Sequence, residues 1–509
     1  MKKYLIILVA GLSLSSLHAQ DTRDAVRYSQ DNLNGTARFR AMSGAFGALG
    51  GDLSSLNVNP AGSSVFSNNQ MGFTLTSVNT KNDSDYFGNK TNVKSNDLNL
   101  NQAGAVFVFK SMNKNTGWNK FALGINYENT NNFNNSINSS GTNPTNSVGD
   151  YFLSFANANA NQSGIRLGDI LDNNYYQLNY IDQQAFLGYE GYLINAVNSD
   201  DENTTYTSNV PTGGNYIQKN TINSTGYNGK LSFNASAAYE DRIYLGLNLN
   251  SHFTDLRQNT LFTEKNNNGA NSNDVDLINT SFENDIYTYG SGFSFQLGTI
   301  IKATKELRIG ASYESPTWYN LNDEVRQNLY STINKDKVNP SLESINPDSN
   351  KFIVYDTYQL KTPGKFTGSL AYVFGKQGLI SFDYSIKDYS SAEFSKERDS
   401  RDPFVNNDIS STLQNSSEFR VGGEYKIKAF SFRAGYRFEQ SPYKNKTTMG
   451  DLTGYSGGVG FNFGTTKLDL SYATSKRDTQ QGFFTQGFTD GAKLNTKNDA
   501  ITLSLLFEL

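Results

Sequence analysis

Residues 231–249 run Leu231-Ser232-Phe233-Asn234-Ala235-Ser236-Ala237-Ala238-Tyr239, turn at Glu240-Asp241, and continue Ile243-Tyr244-Leu245-Gly246-Leu247-Asn248-Leu249. Leu231, Phe233, Ala235, Ala237 and Tyr239 fall on one face of the first run. Ile243, Leu245, Leu247 and Leu249 resume that face in the second. A period of two over this length means a strand with one apolar and one polar face, and the short turn makes the pair a hairpin. The chain ends the same way, with Ile501, Leu503, Leu505, Phe507 and Leu509 alternating with Thr502, Ser504, Leu506 and Glu508.

Working outward, fourteen such runs begin near residues 70, 101, 119, 226, 242, 285, 305, 365, 378, 417, 430, 453, 466 and 498. Their connections alternate in length. Short ones lie near Lys114, Glu240-Asp241, Thr304-Lys305, Lys376-Gln377, Lys428-Ala429 and Thr465-Thr466. Long polar ones occupy approximately 80–100, 129–225, 257–284, 316–364, 390–416, 441–452 and 476–497. Short turns at one rim and long loops at the other define an outer-membrane barrel, with the short turns periplasmic. An even strand number returns the chain to the periplasmic side, and closure leaves no sheet edge in hydrocarbon. A soluble sandwich has no reason to sort its connections by length. The fold class is therefore all-β, a 14-stranded antiparallel transmembrane β-barrel spanning residues 70–509.

Composition and the chain start agree. Lys2 and Lys3, the apolar run Tyr4–Leu12, and Leu17-His18-Ala19 before Gln20 read as a signal peptide over residues 1–19, too short to span a bilayer as a helix. This places the protein in the outer membrane of a Gram-negative cell. The chain has no cysteine, so disulfide and thiolate chemistry are excluded, and a net charge of −4 gives no footprint for nucleic acid. The 30 tyrosines and 34 phenylalanines suit the aromatic girdles of a barrel.

Residues 20–69 do not alternate. Phe39, Met42, Phe46 and Leu49 recur at helical spacing among Gly44, Gly47, Gly50 and Gly51, and Asn59-Pro60 supplies a cap and a first-turn proline for a short helix. Such a segment either hangs in the periplasm or folds into the lumen as a hatch, a plug of short helices. The small residues favour the hatch. A phosphate-loop reading of the glycines fails on spacing, on the missing strand before them and on the missing Gly-Lys-Ser/Thr.

Arg40-Ala41-Met42-Ser43-Gly44, followed by Asn59-Pro60-Ala61 just before the first strand, resembles the start of the FadL/TodX family of outer-membrane transport proteins. Gly310-Ala311-Ser312-Tyr313-Glu314-Ser315-Pro316 and Gly435-Tyr436-Arg437-Phe438-Glu439-Gln440-Ser441-Pro442 are similar to its strands ending in Ser-Pro at the outer rim, and Thr362-Pro363 also fits. The resemblance implies a fourteen-stranded barrel with an N-terminal hatch, marked here by Arg40, Phe46, Asn59, Pro60 and Ala61, that carries long-chain fatty acids or other hydrophobic compounds inward. It implies no cofactor and no energy coupling. The expected partners are a hydrophobic small molecule or lipid, outer-membrane lipids and the barrel assembly machinery, with the protein a monomer. The family releases cargo sideways at a kink in its third strand, after an Asn-Tyr-Gly; here Asn126-Tyr127 is followed by Glu128. The loop at 129–225 is long for the family, and Leu509 replaces the usual terminal aromatic.

Other chemistry finds little support. A Ser-His-Asp site needs an imidazole, and only His252 remains after processing, pointing by alternation into the lumen. No catalytic residue is expected. Asp274-Val275-Asp276 and Asp200-Asp201-Glu202 lack EF-hand spacing and read as solvated loop, so no metal site is expected. A surface adhesin or a general porin are the alternatives to a transporter. In the resembled family, loop aromatics form a greasy mouth for the ligand, which here selects Phe152, Phe155, Trp318 and Tyr319. The competing reading is that they only pack the loops together.

A two-residue turn at Lys428-Ala429 sets Ile427 opposite Phe430, hence Glu424 opposite Arg433 and Arg420 opposite Arg437. Like charges facing each other are destabilising unless something negative lies between them. The pair Arg420 and Arg437 is thus a candidate clamp for the carboxylate of an acidic hydrophobic ligand. Alternatively an acidic residue such as Asp383 or Asp52 neutralises it.

Overall fold

A computed structural model describes residues 21–111, 117–158, 163–269, 275–334, 342–396, 400–401 and 403–509. The signal peptide, the turn at Lys114 and Asp274 lie outside the described residues. Fourteen barrel strands, numbered in chain order, are β1 (Gln70–Tyr86), β2 (Asn89–Lys110), β3 (Trp118–Asn132), β4 (Tyr216–Tyr239), β5 (Ile243–Asn266), β6 (Asp276–Lys302), β7 (Leu307–Glu314), β8 (Lys365–Phe374), β9 (Gly378–Asp388), β10 (Asn415–Ile427), β11 (Phe430–Glu439), β12 (Leu452–Asn462), β13 (Thr466–Gly482) and β14 (Gly491–Glu508). Each pairs antiparallel with its neighbour, and β1 closes the cylinder on β14 with Gln70 opposite Glu508. Outward residues such as Leu245, Leu247, Leu370 and Leu503 are exposed to the lipid side, whereas inward Thr74, Asn248 and Ser504 are buried. The short turns share one rim. At Glu240-Asp241 both residues take positive φ of 50°, the twist that a tight hairpin demands.

Several segments expected as loops are strands. β1 and β2 continue through 80–100 to a turn at Phe87-Gly88, and β5 and β6 occupy most of 257–284. Trp318–Asn334 pairs along the upper half of β6. Beyond the membrane neither strand face meets lipid, so the apolar alternation ends while the backbone ladder continues. The long 129–225 connection folds into α3 (Val148–Ala156), a short helix Leu167–Asp172, α4 (Tyr180–Glu190) and a small hairpin of Ile194–Ala196 with Tyr206–Ser208.

The N-terminal segment sits inside the cylinder. It contains α1 (Thr22–Ser29), α2 (Ala37–Ala41) and 3₁₀ turns at Leu53–Asn57 and Pro60–Val65. Phe39, Met42, Phe46 and Leu49 are buried in one cluster, but not on one helix. α2 ends at Ala41, and the chain reverses through positive φ at Ser43, Gly44, Gly50 and Gly51. Asn59 caps the second 3₁₀ turn with Pro60 at its first position, and its amide donates to the carbonyls of Gly47 (2.7 Å) and Thr299 of β6 (2.9 Å). Opposite, Ser43 Oγ meets Ser456 Oγ of β12 at 2.8 Å, and the Phe46 and Gly47 amides donate to Asp383 of β9. Inward glycines make room for this contact: a Cβ on Gly246 would overlap the Pro60–Ala61 backbone.

β2 and β3 separate towards the outer rim. Their ladder ends at Gln102 opposite Glu128; above it, among the described residues, β2 pairs with β1 alone. Both strands carry an extra residue at this level. Asn101 is skipped in the β1–β2 register and Thr130 in the β3–β4 register. Bulges of this kind bend a strand and increase its twist. Pairing with β4 then resumes at Asn135–Asn143, so the third strand is irregular just beyond Asn126-Tyr127-Glu128.

Candidate ligand chamber

A cavity of about 560 Å³ lies between the hatch and the outer loops. Its floor includes Val26 and Arg27 of α1, and Asn131 and Asn132 flank it beside the β3 bulge. The roof is aromatic: Tyr151 of α3, Tyr180 of α4, Phe262, Phe282, and Phe483 with Phe484 from the β13–β14 loop. These rings pack edge-on and tilted, except that Phe282 and Phe484 are stacked. Phe484 lies 4.5 Å from Tyr151 and 5.0 Å from Phe262, centroid to centroid, and Tyr151 is 5.0 Å from Phe155. Each such ring buried contributes about 1.5–3 kcal/mol, so the roof is a small core in its own right.

Glu264, near the top of β5, anchors that core. Its carboxylate accepts the Val148 amide (3.0 Å), the Gln218 side chain (2.7 Å) and the Ser147 hydroxyl, which pins the N-terminus of α3 to the wall. Ser147 also forms a capping box with Asp150. The outward face of β5 turns polar at Asp255, so Glu264 stands above the membrane. Burial pushes its carboxyl above the usual range, and the three donors offset that only in part.

Two ion pairs line the chamber floor. Arg23 Nε donates to Asp21 at 2.9 Å and Arg27 donates to Asp24. Neutral amides, among them Gln258, Asn284 and Gln480, fill the wall between the rings. The surface offers aromatic contact and hydrogen bonds, with one further carboxylate, Asp323, which accepts from the Thr288 hydroxyl at 2.6 Å.

The sequence-derived residues are distributed unevenly around it. Phe152 and Phe155 are buried in the loop core behind the roof, while the preceding Tyr151, in ring contact with both, lines the cavity. Trp318 and Tyr319 point to opposite sides. Trp318 is 44 % exposed on the outer face opposite Phe293, and Tyr319 is 3 % exposed, packed on Tyr28. The four aromatics therefore do not form one mouth. Adjacent strand residues face opposite ways, which a list of loop aromatics ignores. Phe262, Phe282, Phe483 and Phe484 were missed; the Phe483-Phe484 doublet in a polar loop was the available signal.

Arg420 does stand opposite Arg437, and Glu424 opposite Arg433. Arg420 donates to Glu418 two residues away at 2.7 Å, and Arg477 pairs with Glu439 at 2.9 Å. Asp383 of β9 stands directly opposite Arg420 in the ladder and also accepts the hatch amides of Phe46 and Gly47, so it adds negative charge beside the pair, whereas Asp52 accepts from Thr36 and Ser54 within the hatch. Among the described residues, Nη1 of Arg437 and Nε of the hatch residue Arg40 are buried without partners. His252 faces inward and shares a 2.8 Å hydrogen bond with Ser294. Asp200 accepts the Glu202 amide at 3.0 Å, and Glu202 pairs with Arg166. Among the described residues no three His, Cys, Asp or Glu gather as a metal site.

No curated protein matches the chain in sequence. Solved structures do match in fold. A Pseudomonas aeruginosa FadL homologue aligns at 13 % identity and TM-score 0.52, covering 94 % of this chain and 99 % of that one. The P. putida toluene transporter TodX aligns at 13 % identity and TM-score 0.51, with 94 % and 99 % covered. The model of the family described as outer membrane protein transport protein (OMPP1/FadL/TodX) matches residues 174–508. With more than half of its length matched in this way, the chain belongs to the OMPP1/FadL/TodX family of outer-membrane transport proteins.

Proposed function

We propose that the protein takes up hydrophobic compounds, long-chain fatty acids or aromatic hydrocarbons among them, across the outer membrane of a Gram-negative cell, passively, as a monomer and without catalysis. The observation that carries this reading is the aromatic-roofed chamber, which stands directly above a hatch that fills the lumen. An apolar molecule gains about 25 cal/mol for each Å² it buries there. The TodX structure is that of a toluene transporter, which fits a chamber lined by rings. A plain porin is disfavoured because the hatch is hydrogen-bonded to strands on opposite walls.

Cargo leaves sideways at the β2–β3 break. The chamber reaches Asn131 and Asn132 beside that break, and the straight path down meets the hatch and ion pairs such as Arg38–Glu424. Above Gln102 and Glu128 no β2–β3 ladder closes the wall among the described residues.

A carboxylate at Arg437 is a narrower proposal. The pair lies against the hatch, since a Cβ on Gly44 would stand 2.8 Å from Arg420 Nη1. A head group reaching Arg437 must therefore displace that turn. Titrating a fatty acid against the corresponding alcohol tests this: Arg420→Gln with Arg437→Gln erases any preference for the acid if the clamp exists. For the main reading, lipid extracted from purified protein and identified by mass spectrometry is the test. A hydrophobic compound retained by wild type and lost on Phe282→Ser with Phe484→Ser supports uptake through the chamber; equal retention by both overturns it.

A further inference from the structure

A second cavity, of about 330 Å³, opens beneath the hatch at the rim of short turns. Six cations line it, Arg38, Arg308, Lys426, Lys428, Arg433 and Lys467, against three carboxylates, Asp52, Glu424 and Asp469. The carboxylates are already engaged. Glu424 takes Arg38 (2.8 Å), Arg433 (2.6 Å) and Lys426 (3.4 Å), and Asp469 takes Arg433 (2.6 Å). Asp52 accepts from Thr36 and Ser54 within the hatch. Lys467 turns to Glu508 outside the cavity at 2.5 Å.

Two cations are left over. Arg308 of β7 donates Nη1 to the Leu49 carbonyl at 2.9 Å, while its Nε is buried without a partner among the described residues. Lys428 occupies the β10–β11 turn, and among the described residues neither Arg308 nor Lys428 meets a carboxylate. Like charges gathered in one concave, partly desolvated space focus a positive potential that an anion relieves. A guanidinium with unused donors is suited to oxyanions in particular.

We propose that this periplasmic vestibule is an anion-binding site taking a phosphate or phosphate-like head group, held by Arg308 and Lys428. Arg38, on the hatch, shares the same cavity, so a bound oxyanion competes with Glu424 for it. Occupancy therefore weakens the ion pair that ties the hatch to β10. This inference goes beyond the transport reading and stands without it.

The test is isothermal titration of the full mature chain in detergent with inorganic phosphate, and separately with octyl phosphate. Saturable binding is expected, weakened at least tenfold in Arg308→Gln with Lys428→Gln and unchanged in Arg166→Gln on the outer loops. Heat-modifiable mobility checks that each barrel is folded, and Lys428→Gln alone, on an exposed turn, gives a smaller loss in the same direction. Octyl phosphate binding tenfold tighter than phosphate identifies an amphiphile head group as the occupant; equal affinities identify a free anion. Phe484→Ala in the upper chamber leaves either result intact, which separates failure here from failure of the uptake reading. Absence of saturable binding, or binding unaffected by the double change, overturns the proposal.

Discussion

The backbone amide of Asn32 in the hatch donates to the carbonyl of Thr130 at 3.0 Å, and Thr130 is the residue that bulges out of β3. Its neighbours act alike. Asn34 donates to the Asn129 carbonyl, and Gly35 N donates to Asn101 Oδ1 at 3.3 Å. The hatch thus occupies hydrogen-bonding groups that the parting of β2 and β3 leaves free, and such groups are costly to leave unpaired away from water.

Pinning this contact should close the sideways route. The side chains of Asn32 and Asn131 meet at 2.5 Å, so Asn32→Cys with Asn131→Cys sets two thiols at this contact, non-reducing electrophoresis establishes that the disulfide forms, and the chain has no other cysteine. Oxidised double-cysteine protein is expected to lose at least four-fifths of hydrophobic-compound uptake (roughly 1 kcal/mol or more of blocked opening), with recovery on reduction. Full uptake by the cross-linked form would place the exit elsewhere.

Displacing the hatch should open the lumen. Deleting residues 21–60, or crowding the wall with Gly246→Leu, is expected to raise single-channel conductance in planar bilayers severalfold. A wild-type channel already as conductive as the deletion would mean that the hatch does not seal.

The strand count, the register of β10 and β11 and the Asn59-Pro60 turn were legible in the sequence because lipid enforces alternation and because caps and turns have fixed chemistry. The upper strands were not, since above the membrane no lipid enforces an alternation of apolar and polar residues. The chamber was hidden for a different reason. Its walls come from α1, α3, α4, β5, β6 and the β13–β14 loop, and nothing local in any of them marks Tyr151 as facing the cavity and Phe152 as facing away. Arg38 joining the Glu424–Arg433 pair was equally invisible, being a contact between the hatch and a distant strand.

Chamber aromatics should govern affinity. Replacing Phe282 and Phe484 with Ser removes about 2–4 kcal/mol of apolar contact and is expected to weaken ligand binding at least tenfold. Trp318→Ser on the outer face should change it less than twofold. If Trp318 matters more than the chamber pair, the ligand binds at the rim.

The docking of the loop roof should depend on pH. Because burial holds the Glu264 carboxyl above its ordinary value, the folded loop keeps that proton better than the unfolded one. Docking is therefore firmest below the ordinary carboxylate range and weakens as pH rises through the raised value. Protease cleavage within residues 148–190 is expected to speed up over that rise, and Glu264→Gln should flatten the dependence. Glu264→Ala leaves three buried donors and costs about 1–3 kcal/mol, exposing the loop at every pH. Cleavage independent of pH in the wild type would remove Glu264 from this role.

Uptake itself is the most direct measurement of the central claim. Cells carrying the protein, compared with cells lacking it, are given a radiolabelled long-chain fatty acid and, separately, toluene, with a small hydrophilic sugar as control. Faster uptake of at least one hydrophobic compound, unchanged for the sugar and lost with Phe282→Ser and Phe484→Ser, is the expected result. Equal uptake of both hydrophobic compounds with and without the protein, or a gain for the sugar alone, would contradict it.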